Sequence, residues 1–188
     1  MSRNTKIILI IVGCLAVICI GAGALSAFLL PRFAQRAFST SPSDAHRIGT
    51  SIAQYTLPPG YSEQMGMDFL FEKIVMIGPT NRRGMFFMLL QVSTLNANRA
   101  DMEQQMRQAF SQQFTQRAGQ MQYIGQETAT IRGEQVPLTI YETQSASGRL
   151  RQAVGGFSGK NGYVMVMAMG DSNEWNEDLM KTFFGSIQ

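Results

Sequence analysis

Three methionines, Met165, Met167 and Met169, alternate within "YVMVMAMG" (Tyr163 to Gly170). On a strand this spacing sends all three side chains to one face. Thioethers are soft ligands that suit Cu(I), and they are also adaptable fillers of apolar cores. Met65, Met67, Met85, Met88, Met102 and Met106 fall on apolar stripes as well. Packing is therefore the plainer role for the group, and a Cu(I) site or a pliable apolar pocket for a lipid or a partner helix is the alternative. Arg149 and Arg151 stand two apart on a predicted strand and share a face, where they could together hold an anionic ligand or headgroup. Arg82 and Arg83 offer the same chemistry in a turn. Solvated charges are the simpler reading of both pairs.

Other reactive groupings are sparse. Beyond residue 47 the chain has no histidine and no cysteine, so Ser-His-Asp and Cys-His catalysis lack a base or a nucleophile there. Zinc sites built from His and Cys are excluded for the same reason. The one histidine, His46, falls in a predicted linker and reads as a bystander. "GGFSGKNG" (Gly155 to Gly162) imitates a phosphate loop, but Val154 stands where the first glycine is needed and Asn161 where Ser or Thr would meet magnesium. Glu174, Glu177 and Asp178 gather at the start of a predicted helix, where negative charge is stabilised by the helix dipole. Asp68 and Glu72 lie in strand context without an identifiable partner. The sequence points to no enzyme and to no cofactor.

Residues 7–30 carry no charge over 24 positions. As a helix they would rise about 36 Å against roughly 30 Å of hydrocarbon, which predicts a transmembrane anchor in contact with the lipid bilayer. Lipidation at Cys14 would leave only Ile7 to Val12 as a signal core and strand a second apolar block, Leu15 to Leu30. A cleaved secretory signal is the other alternative. The basic head, residues 1–6, predicts a single-pass signal anchor with a cytoplasmic N-terminus and an extracytoplasmic domain at a bacterial cell membrane. Residues 1–47 hold five Lys or Arg against one acid, whereas residues 48–188 hold 11 against 12. The basic excess thus flanks the expected span, and the near-neutral remainder offers no electrostatic footprint for nucleic acid.

Residues 31–47 read as a linker, with Pro31 and "STSPSD" as breakers. Residues 48–188 read as one globular domain. Its pattern predicts strands over 48–57, 61–71, 73–77 and 85–93, then a helix from Asn98 to Gly119 with a stripe of Met102, Met106, Ala109, Phe110 and Phe114. Further strands follow at 123–131, 136–145, 149–158 and 163–170. A last helix opens on the capping-box spacing of Asp171 and Glu174, with Trp175, Leu179 and Phe183 on one face. Strands 85–93 and 163–170 are apolar on both faces and need cover on both sides. The expected fold is α+β: an N-terminal transmembrane helix, then a mainly antiparallel sheet covered by helices as an α/β/α sandwich.

This order of elements resembles the PsbP-like fold. The likeness covers roughly residues 48–188 and rests on "YTLPPGY" (Tyr55 to Tyr61) after a first strand, one long mid-chain helix, a run of antiparallel strands, and a closing helix ending in "FFGSIQ". It implies a binding or assembly module more often than an enzyme, and it carries over no functional residue. The expected function is a non-enzymatic, membrane-anchored domain that binds a protein partner in the cell envelope. The alternative from another class is a small-ligand binder using the Met-rich face.

Overall fold

Helix α1, Pro42–Ile52, forms where a linker and a strand were expected. Pro42 suits the first turn, because the amide it lacks would have no helical partner there. Ala45, Ile48, Gly49 and Ile52 recur at helical spacing and are buried. The stripe begins inside the expected linker, so dividing the sequence at residue 47 cut Ala45 from the other three. A computed structural model describes residues 38–69, 71–81, 83–93, 121–145 and 148–188. Phe38–Gln188 forms one compact unit, which therefore begins ahead of the expected domain boundary at residue 48.

The strands are β1 (Phe38–Ser39), β2 (Tyr61–Asp68), β3 (Glu72–Pro79), β4 (Phe86–Ser93), β5 (Met121–Ile131), β6 (Glu134–Ser145), β7 (Gly148–Gly159) and β8 (Gly162–Asp171). Helix α2, Glu177–Gly185, follows. The strands make one sheet in the order β1-β2-β3-β4-β8-β7-β6-β5, and every neighbouring pair is antiparallel. The last strand, β8, thus inserts between β4 and β7.

The expected α/β/α sandwich is corrected here. Both described helices pack on one face of a sheet-dominated unit. Ile52 of α1 and Met180, Phe183 and Phe184 of α2 join a single core with Val75, Ile77, Phe87, Leu89, Val164, Val166 and Ala168. Fully burying such side chains is worth about 1.5–3 kcal/mol each. Phe183 lies 4.5 Å from Phe87 between ring centroids, and Tyr55, Tyr61 and Phe184 complete the aromatic cluster. The helix expected at 98–119 lies outside the described residues.

The expected transmembrane helix is corrected as well. Among the described residues no helix is long and apolar enough to cross a membrane. The two helices, of 11 and 9 residues, rise about 17 and 14 Å against roughly 30 Å of hydrocarbon. The predicted span, residues 7–30, lies outside the described residues. The signal anchor, the bilayer contact and the single-pass, extracytoplasmic localisation built on it therefore find no support in the structure.

Helix α2 begins later than expected. Asn176 is its N-cap, and its side-chain oxygen accepts from Leu179 N–H at 2.9 Å. Asp171 belongs to β8, and its carboxylate accepts instead from Asn173 N–H at 2.8 Å. Past α2 the chain joins two distant parts of the unit. Arg132 N–H donates to Ile187 C=O at 3.1 Å, Gln188 N–H donates to Gln54 C=O at 2.8 Å, and the Ser186 hydroxyl bonds to the backbone of Thr56.

Where α1 meets the segment that follows it, Gly49 permits close packing. A Cβ there would stand 1.9 Å from the Tyr55 hydroxyl oxygen. Gly49→Ala is expected to cost about 1–3 kcal/mol by overpacking. In a Tyr55→Phe background the same change should cost less, since the obstructing oxygen is gone. Urea unfolding of the two single variants and the double variant measures this; strictly additive costs would refute the contact.

Candidate functional site

The edge of the sheet at β5 is built by its hairpin. Arg132 (φ 55°) and Gly133 (φ 78°) link Ile131 to Glu134 in a two-residue turn. Positive φ at both central positions is the twist that two-residue hairpins prefer. Ile131 and Glu134 flank the turn and so exchange hydrogen bonds, and alternation makes Ala129–Val136 and Glu127–Leu138 bonded pairs too. The backbone groups of Gln126, Thr128 and Thr130 then point away from the sheet. Arg132 keeps the same parity, and its outward N–H is the one taken by Ile187. Among the described residues no strand pairs on this side of β5.

At its other end the edge is interrupted by a bulge between Tyr123 and Gly125. Bulges bend a strand and disrupt regular pairing. Tyr123, 57% exposed, and Ile124, 41% exposed, project there. Among the described residues the window without a strand partner is therefore Gln126 to Thr130, and at its Thr130 end Gly185 of α2 approaches the backbone carbonyl. The window's one charged residue, Glu127, faces α2 and pairs with Lys181 at 2.9 Å. Lys181 also bonds Glu177, and these two carboxylates, Glu177 first, hold its pKa above the ordinary lysine value. Beside the edge, Arg132, Gly133, Gly185, Ile187 and Gln188 line a shallow groove.

Arg149 and Arg151 share a face, as their spacing predicts. Both guanidinium groups are directed at Glu142 of β6, at 3.3 and 3.2 Å. The Ser172 hydroxyl donates to the same carboxylate at 2.9 Å. Arg151 also lies 5.8 Å from the centroid of the Trp175 ring. The Ser172 bond, followed by Arg151 and Arg149, holds the Glu142 carboxyl below its ordinary value of 4.5. The anion these arginines hold is thus a side chain of their own protein. Arg83 is exposed in a turn, and Arg82 lies outside the described residues.

Met165, Met167 and Met169 lie on the face opposite the two helices. Register extends them into a row across the sheet: Met65 opposes Met76, Met76 opposes Met88, and Met88 opposes Met167. Met165 and Met167 are buried with Val154, against Met88 and Leu90. Gln152 Nε2 donates to Met167 Sδ at 2.8 Å. This is an apolar layer with one polar tie, and Met169, opposite Phe86, stands at its margin.

No residue pattern pointed to the polar cluster under α1. Glu63 is 5% exposed. Its Oε1 accepts from His46 Nδ1 at 2.8 Å and from the Tyr55 hydroxyl at 3.1 Å. Burial first, then the Glu63 charge, pushes the Tyr55 pKa up. His46 is thus a helix-to-strand tie and no bystander. Elsewhere Asp68 meets Lys73 at 4.0 Å, Glu174 accepts from Gly84 N–H at 3.1 Å, and Glu72 and Asp178 are exposed. Among the described residues no three His, Cys, Asp or Glu side chains group as a metal site.

No known protein family matches the chain, and no curated protein matches it. Among solved structures, "Apo structure of immunity protein TplEi of T6SS from Pseudomonas aeruginosa" is similar at 10% identity and a TM-score of 0.40, over 70% of this chain and 46% of that one. "The crystal structure of Tle4-Tli4 complex" is similar at 12% identity and a TM-score of 0.38, over 77% and 57%. A TplEi structure "complexed with 'L' peptide" gives 12%, 0.38, 77% and 61%. The chain thus spans about half the length of these proteins. Likeness at this level carries no functional argument, and none of it bears on the PsbP-like resemblance.

Glu142 generates a prediction. A carboxyl depressed in the fold adds stability that is fully present above its ordinary value of 4.5 and is lost as the pH falls through the folded value. Glu142→Gln should therefore lower the urea midpoint at neutral pH, and the difference from the parent should vanish in acid. A difference that persists unchanged below the folded value would exclude the charge as its source.

Proposed function

We propose that this chain is a non-enzymatic protein-binding module and that its binding element is the β5 edge. The observation that carries this reading is the row of outward backbone groups at Gln126, Thr128 and Thr130 beside exposed Tyr123 and Ile124. Unpaired strand edges are templates for another strand. Of the devices that keep an edge from pairing, lysine and proline are missing from the window Gln126–Thr130, while the bulge at Tyr123–Gly125 and the inward-facing Glu127 confine pairing to this short stretch. The ionisable groups that do converge, at Glu63 and Glu142, are spent on neighbouring side chains. That use fits a scaffold better than acid–base chemistry. The immunity-protein likenesses do not enter this reading.

Backbone pairing predicts how the edge fails. Thr128→Pro removes one outward donor and sets a ring where a partner strand would lie, while the bonds to β6 stay in place. A photo-cross-linking residue at Thr130 should form a defined protein adduct in cells, and Thr128→Pro should abolish it. The same probe at Asn81, exposed in the turn after β3 in the other half of the sheet, should form none. Equal labelling from both positions, or none from Thr130, would overturn the assignment.

A further inference from the structure

From the burial of the methionine layer and the handedness of the chain we infer that residues 94–120 pack across the sheet face opposite the two helices. Met165 is 5% exposed and Met167 9%, although α1 and α2 lie on the other side of the sheet. On an open sheet face such side chains keep their ends in water, so burial this deep needs a second layer. Among the described residues no element supplies one. Phe38–Gln188 is one compact unit, and its longest stretch outside the described residues is 94–120, the connection from β4 to β5. This assignment stands apart from the binding role of the β5 edge.

Topology selects the same face. From β4 to β5 the sheet order passes β8, β7 and β6, and each neighbouring pair is antiparallel, so β4 and β5 run parallel. A chain joining parallel strands of one sheet crosses one of its faces, and such crossovers are right-handed in about 98% of cases. In a strand of L-residues seen with its direction upward, a side chain toward the viewer has its own N–H and C=O on the right. Ile131 faces the helices and exchanges bonds with Glu134, so from the helix side β6 lies to the right of β5, and β4 farther right. Ser93 agrees. It shares the parity of Leu89, which faces the helices, and its N–H reaches Phe71 C=O just ahead of β3, so β3 lies to the right of β4. Seen from the helices, the connection therefore travels leftward. A right-handed crossover travels rightward in front of a sheet and leftward behind it. Residues 94–120 thus pass behind, over the methionines.

The distance suits the chain available. Four strand spacings of about 4.8 Å set β5 roughly 19 Å from β4, and the return along an eight-residue strand adds about 26 Å. The 27 residues of the connection cover that diagonal of about 32 Å with length to spare for packing. The route runs over β8, where Met165 and Met167 stand, and on over Val154 of β7. The connection carries Met102, Met106, Phe110 and Phe114 among many glutamines. Its apolar groups match the sheet face, and its amides suit water. The methionines then pack against their own chain, and neither Cu(I) nor a lipid reaches them.

Two probes in the full chain test this. A diazirine-bearing residue of methionine size replaces Met88, on the methionine layer, and in a second protein replaces Lys73, whose side chain bonds Ser51 of α1 on the helix side. On irradiation of dilute, purified protein, the probe at Met88 should join peptides from 94–120 within one molecule, and the probe at Lys73 should join α1. Proteolysis and mass spectrometry read both adducts. In a Cys14→Ser, Cys19→Ser chain, Leu90→Cys should react with a maleimide about tenfold more slowly than Asn81→Cys, which is exposed. Adducts from Met88 to a second molecule, to residues 1–37 or to nothing would overturn the assignment. So would capture of 94–120 by the probe at Lys73, or equal thiol rates at Leu90 and Asn81.

Discussion

The contact between Phe183 and Phe87 organises the unit. Phe87 stands on β4, near the middle of the sheet, and Phe183 on the last turn of α2. Holding α2 there sets Lys181 beside Glu127 on β5 and brings Ile187 to the end of the same strand. One short helix thereby touches both the centre and the margin of the sheet. The rings of Tyr55, Phe87 and Phe184 all stand against Phe183, so its environment is aromatic on several sides. Aromatic pairs add about 0.5–1.5 kcal/mol beyond the area they bury. Without this anchor the ion pair at Lys181 would be a surface contact of little worth.

The polar chemistry of the unit turns inward. Glu63 takes His46 and Tyr55, and Glu142 takes Arg149, Arg151 and Ser172. Each carboxylate ties elements that the apolar core does not fully define. The first fixes the roll of α1 over β2. The second fastens β6 to β7 and to the chain just beyond β8. Breaking either tie by removing one partner would strand the remaining groups, which costs more than the bond itself contributes.

Much of the sheet was legible in the sequence, because alternation survives burial. Phe87 and Leu89 face one side of β4, and Met88 and Leu90 the other, as a strand apolar on both faces requires. Met165, Met167 and Met169 share a face for the same reason. The failures were of two kinds. The start of α2 was misplaced because Asp171 and Asn176 both carry cap-forming side chains, and the extension of β8 through Asp171 decided between them. Strand order was invisible, because inserting β8 between β4 and β7 leaves no local trace. Hence Glu142 as the partner of both arginines, and β5 as an edge, could emerge only from the fold. The buried role of Glu63 was equally hidden, since its partner His46 stands 17 residues away.

The bridge after α2 has a kinetic meaning. The bonds between Ser186 and Thr56 join residues 130 positions apart. Loop closure over such a distance makes these contacts slow to form. On the ribosome, the first helix and the early strands emerge long before their closing partner exists. The core around Phe87 therefore stays open until Phe183 and the last residues have left the exit tunnel. For that interval the nascent chain exposes the apolar face that α2 will cover, and this is when it is most open to aggregation or to a chaperone.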